Sequence, residues 1–241
     1  MKHAQHFAAA IGVVLLSGAL NTVSATLILV APEDFPGTGL GSVNTILTIQ
    51  SPGATTSEQG CVGRSAGGCP GGSANAAGDV IGGTLGGNEL TGASQTLTRT
   101  VSALGLTTAA NLRVVFNVVE PPPDASINLN TLVLSIYDGT SGVLQFSGGL
   151  AAPLSVTGFE TGIGNSGFVF ALNAVEAAAA QAVLDPTDRI GLSASATNAT
   201  GGPETFFVAN TGTPHVVPEP ASLLLLGSGL VGLGVWRWKK S

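Results

Sequence analysis

Between Thr26 and Val216 the chain has no lysine and no tryptophan, one tyrosine (Tyr137) and one histidine (His215). Without lysine, only Arg64, Arg99, Arg113 and Arg189 stand against thirteen acidic residues there, a formal charge of −9. No basic patch can form to neutralise phosphates, so nucleic acid is excluded as a partner. An anionic polymer is repelled as well, unless divalent cations bridge the two. One histidine cannot build a zinc site. It completes a Ser-His-Asp arrangement only by folding back from the segment before Pro218. Paired carboxylates, such as Glu33 with Asp34 or Asp185 with Asp188, are the remaining chemistry for a hydrolase. Sugar-cleaving clefts usually carry aromatic platforms, which this composition withholds. The expectation is a protein that is not an enzyme.

Charge is sparse throughout, at 9% of all residues, and the uncharged runs lie at the two ends. Met1-Lys2-His3 is a short basic start, and Phe7 to Leu20 is apolar apart from Ser17. Val23-Ser24-Ala25 then places small residues at the −3 and −1 positions of a cleavage site. Residues 1–25 therefore read as a secretory signal peptide, handled by the Sec translocon and removed after Ala25. Residues 26–216 form the exported body, long enough for one sizeable core.

The C-terminal segment 217–241 carries three signals in a fixed order. Pro218-Glu219-Pro220 comes first. Each proline fixes φ and removes an amide donor, so the tripeptide joins neither a helix nor a sheet ladder. Next, Ala221 to Trp236 contains no charge. As a transmembrane helix these residues span about 24 Å against a hydrocarbon core of about 30 Å. Snorkelling Arg237 and Lys239 stems close most of that gap. Last come Arg237, Lys239 and Lys240, a cationic stop that the positive-inside rule keeps cytoplasmic. Trp236 and Trp238, the only tryptophans in the chain, sit at that interface. Gly227, Gly229, Gly232 and Gly234 weaken the helix, which suits a short stay in the membrane better than permanent anchoring.

This order of elements resembles the PEP-CTERM sorting tail. The resemblance covers about 24 residues and leaves the body unassigned. It implies recognition of Pro218, Glu219 and Pro220 by an exosortase, a membrane enzyme with a cysteine nucleophile that cuts near that element. The protein would sit transiently in the inner membrane with its body in the periplasm. It would then pass to the cell surface or extracellular matrix, in association with exopolysaccharide or biofilm.

The body reads as mainly β. Leu112, Val114, Phe116 and Val118 alternate with polar residues, as do Leu132, Leu134 and Ile136. Asp138-Gly139 and Ser141-Gly142 are turn residues before Val143 to Phe146, a hairpin pattern. Further strands are expected at 43–49, 95–101, 154–157, 167–172, 189–196 and 205–208. Residues 52–92, rich in Gly, Ser and Ala, read as a long loop with one weak strand at Val80-Ile81. One helix is expected from Asn173 to Leu184, with Asn173 and Glu176 as a capping box and Asp185-Pro186 as its stop. The fold class is a β-sandwich or jelly-roll-like domain with one short α-helix, followed by the C-terminal transmembrane helix.

Cys61 and Cys69 close a short loop and, in an exported chain, point to a disulfide. No cofactor is expected. The nearest approach to a calcium site is Asp185, Thr187 and Asp188, or Asp138 with Gly139, where ordinary turn chemistry competes. The leading expectation is a non-enzymatic surface or matrix domain. The alternative is a carbohydrate- or ice-binding module using a flat threonine face such as Thr96, Thr98 and Thr100.

Overall fold

The computed structural model describes residues 27–31, 43–51, 55–82, 87–92, 94–119, 126–157 and 167–212. The signal segment 1–25, Glu33, Asp34, His215 and the whole tail 217–241 lie outside the described residues, and with them the expected transmembrane helix 221–236. Among the described residues no helix is long and apolar enough to cross a membrane.

The described residues of the body are mainly β, with a single α-helix among them. In chain order the first strands are β1 (Leu27–Leu29), β2 (Thr45–Ile49), β3 (Ser57–Gly63), β4 (Ser73–Ala74), β5 (Val80–Ile81) and β6 (Arg99–Thr100). After a 3-10 turn at Ala109–Asn111 come β7 (Leu112–Asn117), β8 (Ser126–Tyr137), β9 (Leu144–Gly149), β10 (Leu154–Thr157) and β11 (Gly167–Leu172). Helix α1 (Ala174–Val183) precedes β12 (Arg189–Thr197) and β13 (Glu204–Asn210). One sheet has five strands in the order β1-β11-β7-β13-β2. The other has eight, running β10-β8-β12-β3-β5-β4, with β9 beside β8 and β6 beside β12. All named strand pairs are antiparallel.

The two sheets share one apolar core, the arrangement of a sandwich. Leu112, Val114 and Phe116 of β7 meet Ile127, Leu129, Leu132, Leu134 and Ile136 of β8 there. Phe168, Phe116 and Phe206 lie on neighbouring strands as a ladder: Phe116 stacks on Phe206 at 4.6 Å and tilts against Phe168 at 6.4 Å. Such cross-strand aromatic pairs fix register as well as filling space.

Strand β8 shows how a break in sequence alternation is absorbed. Its apolar residues are spaced by two up to Leu129, then by three to Leu132. Opposite, Ser195 pairs Thr131 while Ala196 pairs Leu129, so Asn130 is the extra residue of a bulge. The bulge returns both halves of the strand to the core face. The strand thus begins at Ser126, ahead of the alternation expected at Leu132, Leu134 and Ile136.

Helix α1 follows its capping signal. Asn173 Oδ1 accepts from the Glu176 amide at 2.9 Å, and the helix stops before Asp185-Pro186. Ala177 and Ala180 are buried, and Gln181 Oε1 accepts from the Ala109 amide at 2.7 Å. These contacts set the helix against the 3-10 turn.

The stretch 52–92 contains the expected short strand at Val80–Ile81 but otherwise departs from the loop expectation. Its β3 is a largely buried strand paired with β12, and β4 and β5 extend the sheet beyond it. Its glycines supply close approach. A Cβ at Gly63 would lie 2.8 Å from Tyr137 Cζ, and one at Gly68 2.7 Å from the same atom. Low side-chain volume is therefore a packing requirement around a buried tyrosine, which composition alone presents as a loop.

Candidate functional site

Cys61 and Cys69 form a disulfide, with Cα atoms 5.4 Å apart and both residues buried. Cys61 belongs to β3, so the bond ties the following turn back onto the eight-stranded sheet. Gly63 and Gly68, on either side of that loop, enclose Tyr137. Burial raises the pKa of the Tyr137 hydroxyl, the neighbouring Ser135 side chain opposes the rise, and the hydroxyl itself has no hydrogen-bond partner.

The strand expected at 95–101 shrinks to Arg99–Thr100, and its threonine face is turned inward. Thr96 and Thr98 are 4% and 1% exposed. Thr96 Oγ1 accepts from the Thr48 amide at 3.2 Å. The Thr98 hydroxyl donates to Asp79 Oδ1 at 2.5 Å and accepts from Arg189 Nε at 2.6 Å. Asp79 is itself buried, held further by the Asn75 turn and by Arg64 at 3.5 Å. Burial lowers the Arg189 pKa, while the Asp79 carboxylate pulls it back up. Thr98 satisfies a buried ionic network, because an unpaired carboxylate in this place would be costly, while half-buried Thr100 accepts from the Ser102 hydroxyl and the Ala103 amide. These threonines form no binding face.

The two calcium candidates meet in space. Asp188 Oδ1 accepts from the Gly139 amide at 3.2 Å, joining the 185–188 turn to the hairpin turn. Their oxygens are already engaged. Asp188 Oδ2 takes the Asp185 amide, Asp185 Oδ1 takes the Thr187 amide and hydroxyl, and Asp138 Oδ1 takes Thr140 and Ser141. The Ser141 amide, with the Ser141 hydroxyl and Thr140 amide, holds the Asp138 carboxyl below its ordinary pKa. The Thr187 amide and then its hydroxyl do the same for Asp185. Asp185 and Asp188 act as a turn clamp. Among the described residues no group of three or more His, Cys, Asp or Glu is placed to hold a metal.

The polar surface lies elsewhere, on the outer face of the eight-stranded sheet. Alternation in Leu192-Ser193-Ala194-Ser195-Ala196-Thr197 sends the hydroxyls outward while the apolar residues enter the core. Pairing extends each hydroxyl into a row. One row runs Ser155, Asn128, Thr197 and Ser57, and the next Thr131, Ser195 and Gln59. Thr131 and Ser195 share a hydrogen bond of 2.8 Å, and Ser155 donates to Asn128 Oδ1 at 2.6 Å. A cleft of about 230 Å³ crosses β8, β12 and β3 and ends at Pro70 and Glu89. The β12 alternation was the available sequence signal for this face; Glu89 had none, since its place depends on a bridge to Ile49.

The body is thus a two-sheet, disulfide-pinned β-domain with an uncharged hydroxyl face. At the other end of the chain, residues 216–240 match the PEP-CTERM protein-sorting motif. That motif marks a surface protein sorted by an exosortase, anchored in a membrane and then exported. The match contains the expected recognition residues Pro218, Glu219 and Pro220 and the basic residues Arg237, Lys239 and Lys240. No curated protein and no solved structure matches the chain, and the body is assigned to no other family.

Proposed function

We propose that the chain is a non-enzymatic exported protein of the cell surface or exopolysaccharide matrix, released from the inner membrane when an exosortase cuts beside Pro218-Glu219-Pro220. The observation that carries this reading is the sorting motif at 216–240. The N-terminal signal pattern and the disulfide support passage through an oxidising compartment. The scarcity of acid–base groups in the body supports a structural or binding role. Fractionation of cells with and without the exosortase tests the route. A shortened product outside the inner membrane, lost on deletion of the enzyme or on Glu219→Ala with Pro218→Ala, is expected. A full-length inner-membrane product in both strains would sink the sorting claim.

A binding module is the second reading, favoured by the uncharged hydroxyl rows on the eight-stranded sheet. Glycan-array and ice-affinity assays on the exported protein test it. Retention on neither surface removes it.

A further inference from the structure

We infer that the cleft across β8, β12 and β3 is a binding site for a neutral, polyhydroxylated ligand: one pyranose unit of a polysaccharide, with Glu89 engaging a vicinal diol. This rests on the binding-module reading and gives it a place and a ligand class.

The cleft is built by several separate constraints. Asn88 and Glu89 run along the edge of β3 that β12 leaves open. The Asn88 amide donates to Gln59 O at 2.8 Å, and Asn88 Oδ1 accepts from the Gln59 amide at 3.1 Å. Glu89 Oε1 accepts from the Cys61 amide at 2.8 Å, which fixes the carboxylate. Gly60 is cut away for that side chain, since a Cβ there would lie 2.8 Å from Glu89 Cδ. Pro70, which also lines the cleft, follows directly from Cys69, so the disulfide anchors that part of the lining to β3. Ser193, Ser195 and Thr131 line its course over the sheet.

Most of the exposed cleft wall is carbon with a few polar atoms set in it, which suits the apolar C–H face and hydroxyl rim of a sugar ring. A carboxylate is an acceptor only, whereas each hydroxyl both donates and accepts. A sugar diol complements the two together: its O–H groups donate to Glu89, and its oxygens accept from Ser193 and the Thr131–Ser195 pair. An anionic sugar would face Glu89 within a body of charge −9. A bare cation would leave the hydroxyls of β12 and β8 unused. Strands about 4.8 Å apart give the trough a width of three strands, about 10 Å, which matches one ring and its linkages. Without an aromatic platform the single-site Kd should be on the order of 1 mM. Repeated epitopes along a polymer compensate through avidity.

The test is NMR or affinity titration of the full chain, solubilised in a detergent without a sugar headgroup. The probes are neutral gluco- and manno-oligosaccharides, polygalacturonate and calcium chloride. A neutral oligosaccharide should bind and shift the amides of Ser193, Ser195 and Gln59. Glu89→Gln keeps the acceptor for Cys61 yet should weaken binding about tenfold, and Ser195→Ala about threefold, with unchanged melting temperature. Reduction of the disulfide should also weaken binding. Binding that survives Glu89→Gln but is lost on Thr197→Ala with Ser155→Ala overturns the cleft while keeping the binding-module reading. Preference for polygalacturonate or calcium alone overturns the ligand class. Binding to none of the probes overturns both.

Discussion

The two sheets share a core but turn different chemistry away from it. On the outer side of the five-stranded sheet, Val115, Val169 and Phe207 form a second apolar cluster, each no more than 2% exposed, with Val30, Val43 and Ala209 around it. On the outer side of the eight-stranded sheet stand serines, threonines, asparagine and glutamine. A strand buried on both faces reads as a near-continuous apolar run, as Leu112-Arg113-Val114-Val115-Phe116 nearly does. A strand with one open face alternates, as β12 does. The smaller sheet is therefore a structural wall, and the larger one presents the surface on which function is to be sought.

Several substitutions test this contrast. The largest effect is expected in the shared core, where Phe116→Ala removes the middle ring of the aromatic ladder and should cost about 3–5 kcal/mol in urea denaturation. Phe207→Ala tests the wall itself: its cost should approach the core value, at about 3 kcal/mol, if that outer face is truly buried. A cost below about 0.5 kcal/mol would mean the two outer faces are alike. Cys61→Ser paired with Cys69→Ser should lower stability by about 2–3 kcal/mol, the chain-entropy value for so short a loop. Reducing agent should reproduce that loss in the parent and do nothing to the variant.

The hairpin turn adds a pH dependence. Folding lowers the Asp138 carboxyl from its ordinary value of 3.8, through the Ser141 and Thr140 donors. Its stabilisation is thus present above that value and lost as pH falls through the lower folded-state value. Asp185 behaves alike for the same reason. Denaturation midpoints followed from pH 7 to pH 2 should fall less steeply in Asp138→Asn. An identical acid limb in parent and variant would contradict this. The smallest effect belongs to Ser195→Ala on the open face, within about 0.5 kcal/mol, because its hydrogen bond to Thr131 is exposed to water.

Much of the scaffold was legible because its signals are local. The inward residues of β7, the second half of β8, the span of β11, the Asn173 cap and the Asp138 turn all follow from neighbours within a few positions. Apart from Val80-Ile81, the glycine-rich stretch reads as a loop because its glycines answer to Tyr137, which lies 74 and 69 residues beyond Gly63 and Gly68. The threonines at 96 and 98 had the right alternation for an exposed face, but Asp79, just before β5, and Arg189 of β12 claim Thr98. The cleft was invisible for the same reason: Glu89, Thr131 and Ser195 become neighbours only through strand pairing.

Residue order by itself determined the address of this protein. A proline-bracketed glutamate, an uncharged run and a cationic end are consecutive in the chain, and the sorting motif they match is defined by residue order alone. The same holds for the disulfide expectation, since nine residues of chain bring two cysteines within reach of each other. Which face of the body meets the outside was decided only by tertiary structure. A serine on a strand is a core liability or a surface donor according to the sheet it enters and what covers it, and that choice is made by pairings across more than a hundred residues.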